Sequence, residues 1–70
     1  MLVTLHAHER FTTRTGLHMF KEEIAGLASK AKHVRGCKDN RRRRRICGKV
    51  VDFICRGDRI VTVIVQGERT

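Results

Sequence analysis

Residues 41–66 read RRRRRICGKVVDFICRGDRIVTVIVQ, and the period of their apolar positions is two, against 3.6 in the chain before them. The change at Asn40 predicts three strands, over about 41–47, 50–56 and 59–66. Gly48–Lys49 and Gly57–Asp58 are the turn signals between them, and both are short enough for antiparallel hairpins. In the last strand Val61, Val63 and Val65 alternate with Ile60, Thr62 and Ile64. Both of its faces are therefore apolar, and it is expected to be central and covered on both sides. The first strand carries Arg41 to Arg45 and is expected at an edge, where charge discourages edge-to-edge aggregation.

Upstream of that stretch, Leu17, Phe20, Ile24, Leu27, Ala28 and Ala31 form one apolar helical face, predicting a helix over about 17–33. A shorter helix is expected over about 4–15, with Thr4 as N-cap and Gly16 as its C-terminal stop. Ala7 and Phe11 would face the core, and His6, Arg10 and Arg14 the adjoining stripe. Residues 35–40 read as a loop. The expected fold is α+β: two N-terminal helices packed on a three-stranded antiparallel meander, forming a single domain over residues 1–70.

The chain has 70 residues, and sixteen Lys and Arg against seven Asp and Glu leave a net charge of +9. Residues 1–34 hold five basic and three acidic side chains, residues 35–70 eleven and four. So large an excess implies a polyanionic partner, most often nucleic acid, approached by the C-terminal half. No apolar run exceeds three residues, which excludes a membrane-spanning helix. A secretory leader is not expected, because His6, His8, Glu9, Arg10 and Arg14 occupy the region where its apolar segment would lie. Together these point to the cytoplasm, that of a host if the chain is phage-encoded.

Cys37, Cys47 and Cys55 make an odd number, so reduced, buried thiols are expected rather than a disulfide framework. His33 with the three cysteines would total four zinc ligands, but the tight Cys-x2-4-Cys knuckle of structural zinc sites is missing. No metal and no cofactor are expected. The arginine run Arg41, Arg42, Arg43, Arg44 and Arg45 supplies phosphate contacts in the functional reading, and a solvated edge or a targeting patch in the bland ones. As a strand it would divide Arg41, Arg43 and Arg45 from Arg42 and Arg44, so about half could meet one polyanion. Asp39 and Asp52 are the nearest acids. Phe11, Phe20 and Phe53 are all expected in the core, which leaves no aromatic platform for single strands.

His6 and Arg10, one helical turn apart, are the minimum for metal-free phosphodiester transfer. The imidazole removes a ribose 2′-OH proton and the guanidinium stabilises charge on the phosphoryl oxygens. His8 lies on another side of the helix. His18 and His33 flank the second helix, and only His33 would be favoured by its dipole.

The stretch Thr4-Leu5-His6-Ala7-His8-Glu9-Arg10-Phe11, then Arg14-Thr15-Gly16-Leu17, and the closing Ile60-Val61-Thr62-Val63 resemble a family of small bacterial and phage domains. Those domains open with a threonine-capped His-Ala-x-x-Arg helix and end in an aliphatic-Ile/Val-Thr-Val strand. They are similar in turn to the RelE, colicin and barnase group of metal-independent ribonucleases, many of them toxins. The resemblance implies His6 as general base or acid, Arg10 as phosphate clamp, Thr62 as a hydroxyl to the phosphate, and Arg14 as a second positive group. RNA would then be favoured over DNA, and an antitoxin-like or host protein partner is implied. The alternative is a phage-type inhibitor that binds nucleic acid or a host protein without catalysis. In an enzyme His6, Arg10 and Thr62 would converge on one cleft, and in a binder they would be scattered. A core this small also makes a homodimer a reasonable expectation.

Overall fold

Thr4 sets the first helix in place. In the computed structural model, which describes residues 1–36 and 40–66, its hydroxyl accepts the Ala7 N–H at 3.2 Å and donates to the Ile60 carbonyl at 2.9 Å. One side chain therefore caps the helix and ties its start to the last strand. The helix, α1, spans Leu5–Thr15 and closes where the Gly16 N–H donates to the Thr12 carbonyl at 2.9 Å. Ala7, Phe11 and Thr15 are its buried residues, as the spacing predicts for the first two.

The second helix, α2, spans Lys21–Ser29 and is shorter than the apolar face over 17–33 implies. Residues 16–20 form a connection instead. It is held by the Leu17 N–H on the Thr15 hydroxyl at 3.1 Å and by the His8 Nε2–H on the Met19 carbonyl at 2.8 Å. The helix starts at Phe20, whose N–H donates to the Glu23 carboxylate at 3.0 Å. Phe20 thus stands at the cap with 76% of its surface exposed, and is not a core residue. At the other end the expected last turn is a strand, Lys32–Val34, because His33 and Val34 bond a neighbouring strand rather than the turn before them.

The described residues form five strands: β1 Leu2–Val3, β2 Lys32–Val34, β3 Asn40–Ile46, β4 Lys49–Arg56 and β5 Arg59–Gln66. Their order in the sheet is β1-β5-β4-β3-β2, with β1 parallel to β5 and every other pair antiparallel. The three-stranded meander of the sequence reading is present as β3-β4-β5, within a residue of its expected bounds. Two short strands extend it to a mixed sheet, and two expectations about position change with them. The arginine strand β3 is not an edge, since β2 covers Arg41 to Arg43. The central strand is β4, not β5.

Both hairpins turn on two residues. In the first, Cys47 and Gly48 both have positive φ, 50° and 79°, the combination a type I′ turn requires. The second turns on Gly57–Asp58 between the paired Arg56 and Arg59. Cys47 is exposed at its turn, while Cys55 is buried, so the thiols are not uniformly core. Cys37 and Asp39 lie outside the described residues.

Both helices lie on one face of the sheet. Val51, Phe53 and Cys55 of β4 meet Ala7, Phe11, Ile24 and Ala28 there, and the rings of Phe11 and Phe53 stack with centroids 6.3 Å apart. A bulge between Ile54 and Cys55 makes Val61 an extra residue on β5. It turns Ile60 and Val63 to the same covered face, and both are buried. Ile64 points the other way and is exposed, so β5 is covered on one face only. No described helix is long and apolar enough to cross a membrane.

Candidate nucleic-acid interface

The pleat sorts the arginine run. Arg43 is the Cα partner of Asp52, and Arg42 that of Phe53. Directly opposed residues in a ladder share a face, so Arg41, Arg43 and Arg45 project away from the helices and Arg42 and Arg44 towards them.

Asp52 organises the first set. Its carboxylate has no exposed surface and accepts Arg43 Nε on Oδ1 at 2.8 Å and Arg43 Nη2 on Oδ2 at 3.1 Å. Arg41 Nη1 reaches Oδ2 at 3.2 Å, and Gln66 Nε2 at 2.6 Å. The forked contact is the geometry in which guanidinium binds carboxylate most tightly. An ionised carboxylate is tolerated in such a place only when paired and hydrogen-bonded. Arg41 and Arg43 are therefore structural groups.

The rest of the run is differently placed. Arg42 sends Nη1 to the Ser29 carbonyl at 3.4 Å, at the C-terminal end of α2 where the helix dipole favours a cation. Its Nε is buried with no hydrogen-bond partner among the described residues. Arg44 is half-buried and Arg45 exposed, and neither meets an acidic group among the described residues. Lys32 and His33 are exposed on the neighbouring β2, with Lys30 before them and Arg35 after. The β2–β3 margin is a basic strip whose outer charges meet no acid among the described residues.

His6 and Arg10 lie one turn apart on the exposed side of α1 and line one shallow depression with His8, Glu9, Thr12 and Thr13. Every residue of that lining comes from a single helix, and no other described element faces the depression. Arg14 is exposed one further turn along. Thr62 is not with them. It is the Cα partner of Ile54, whose neighbour Phe53 faces the helices, so Thr62 lies on the opposite face of the sheet. The structure joins His6 to Arg10, separates both from Thr62, and sets the whole group apart from Arg44 and Arg45. His8 is engaged by Met19 and holds the connection between the helices.

Burial raises the Cys55 thiol above its ordinary value, and the nearby Arg42 guanidinium partly opposes the shift. The thiol is neutral at pH 7 and serves packing. Among the described residues no group of three His, Cys, Asp or Glu side chains is arranged to hold a metal ion.

The sequence offers Asp52 as a neutralising acid for the arginine run but does not show its forked grip on Arg43 together with Arg41. Asp52 lies two residues from both Val50 and Ile54 in an apolar strand, and so it shares a face with alternate arginines of the preceding strand. No family model, curated protein or solved structure matches the chain.

Proposed function

We propose that this chain is a small basic nucleic-acid-binding protein that holds a phosphate backbone along the β2–β3 margin without cutting it. The observation that carries the reading is the division of the arginine run by Asp52. That carboxylate occupies Arg41 and Arg43 and leaves Arg44 and Arg45 with no acid among the described residues, beside Lys32 and His33. Guanidinium groups in that position bind phosphate oxygens and release condensed counterions. Contacts of this kind position a backbone and carry no base sequence. RNA is taken ahead of DNA because the His-Ala-x-x-Arg opening resembles that of small bacterial and phage domains, themselves similar to metal-independent ribonucleases, and the site of action is taken to be the cytoplasm.

A second reading, metal-independent endoribonuclease, is favoured by one observation: His6 and Arg10 share an exposed depression. In it His6 takes the 2′-OH proton and Arg10 steadies the phosphoryl oxygens, without Thr62. Among the described residues the depression has no facing wall to exclude water or orient a phosphodiester, which is why binding is preferred. RNA incubated in excess chelator with wild type and with His6→Ala decides between them. Binding with no cleavage by either protein supports the first reading. Cleavage by wild type that is lost in His6→Ala establishes the second and overturns the first.

A further inference from the structure

Among the described residues the far margin of the sheet is uncovered beyond Ile60. β1 covers only Arg59 and Ile60 of β5, and its ladder ends where the Thr4 N–H reaches the Ile60 carbonyl at 3.2 Å. The chain then turns up into α1. No further backbone hydrogen bond reaches the outer side of residues 61–66 among the described residues. That edge reads Val61-Thr62-Val63-Ile64-Val65-Gln66, six uncharged residues with no proline and no lysine. Edges of this kind are usually blunted by charge, proline or a covering element. The opposite margin is blunted in that way, by Lys32, Arg44 and Arg45. An unblunted apolar edge is a template for one more strand.

The helix above states what kind of strand. α1 packs chiefly on β5. One flank of it carries His8 and Thr12 and meets the connection to α2 through Met19. With Ala7, Phe11 and Thr15 facing down, helical spacing puts Arg10 and Arg14 on the other flank, towards the bare edge, and both are exposed. Glu9, the only acid on α1, lies on the side away from the core. A second copy would bring the same Arg10 and Arg14 against these, on a chain already at +9. An acidic strand would meet them with opposite charge.

We infer that the outer side of β5 over residues 61–66 accepts an extended acidic segment of a partner protein as an added strand, in line with β1. Main-chain bonds to β5 supply the affinity. Carboxylates on the helix side of the segment pair with Arg10 and Arg14, and its apolar residues extend the sheet surface beside Ile64. The inference does not rest on nucleic-acid binding, which uses the other margin.

The probe is a capped heptapeptide of alternating Glu and Val, titrated into the isotope-labelled protein while backbone amide signals are followed. Saturable binding with shifts concentrated at residues 61–66 is expected. Methylating alternate amides of the peptide keeps its charge and removes the ladder, and should weaken binding at least about tenfold, since each lost bond is worth about 1 kcal/mol. Arg10→Gln with Arg14→Gln should weaken it about fivefold, the scale of two exposed ion pairs. Equal binding of the methylated peptide, or shifts centred on residues 41–45, would show attraction to charge alone and overturn the inference. So would sedimentation of the protein by itself as a dimer that Ile64→Lys dissociates, because the edge would then be filled by a second copy.

Discussion

The two faces of this sheet are closed by different physics. Under the helices, Phe11, Ile24, Val51, Phe53 and Ile60 lose all contact with solvent, and the closure is hydrophobic. On the other face no described helix lies over the strands, yet Asp52 is equally buried. Its cover is Arg41, Arg43 and Gln66, drawn in by its own carboxylate, and Ile54 beside it is almost wholly buried too. Arginine can do this because its stem is apolar and only its tip needs a partner. A charge on the open face therefore performs there the covering that phenylalanine performs on the closed one, and uses part of the arginine run to do so.

The largest expected effects test that equivalence. Phe53→Ala should lose about 3–5 kcal/mol by cavity formation. Arg41→Ser with Arg43→Ser should lose about 3 kcal/mol, because the buried Asp52 carboxylate is left with Gln66 alone. Urea denaturation of both variants makes the comparison. A double variant as stable as wild type would mean that the open face is not held by its ion pairs. Stability unaffected by replacing arginines is what an exposed, unneutralised edge would imply, and the position of Asp52 reverses that expectation.

Smaller effects sharpen the contrast between the ends of the sheet. Thr4→Ala should cost about 1 kcal/mol as an N-cap, and it also removes the hydroxyl bond to the Ile60 carbonyl while the Thr4 N–H bond to it remains. Thermal unfolding, together with amide exchange at Ala7, reads both consequences. Cys47→Asn should raise stability by a few tenths of a kcal/mol, since asparagine tolerates positive φ at a type I′ turn better than cysteine. An unchanged or lower melting temperature would contradict the turn assignment.

The pH dependence of Cys55 runs in one direction. Its folded thiol ionises less readily than the unfolded one, whose ordinary value is 9.0. The difference is fully present below that value and is lost as pH rises through it towards the folded pKa. Stability should fall above about pH 9 more steeply in wild type than in Cys55→Ala. Parallel curves would place the thiol in contact with water.

Sequence patterning carried the meander and the first helix because each has a clear local cause. Thr4 and Gly16 bracket α1, and Gly48 and Gly57 mark two hairpins. What was illegible is what tertiary contact decides. Leu17 and Phe20 continue an apolar helical face, yet His8 captures the Met19 carbonyl and delays the helix. Lys32–Val34 follows that face at its other end, where the helix was expected to run to about residue 33, yet it becomes a strand because β3 offers it a ladder. The two residues of β1 are too few to show a period. The alternation of 60–65 is visible, but the bulge at Val61 shifts it out of phase. As for the site, the distances between His6, Arg10 and Thr62 depend on which face each element presents. Spacing along the chain fixes that for the helical pair and not for the strand.

The division of the arginine run is tested most directly by the salt dependence of RNA affinity in Arg44→Ser with Arg45→Ser against wild type. Arg44 and Arg45 leave β3 on opposite faces, so one phosphate backbone meets one of them, and the slope of log K against log salt should fall by about 0.7–0.9, with weaker binding and unchanged stability. A slope and an affinity equal to wild type would contradict the division and move the polyanion away from the β2–β3 margin.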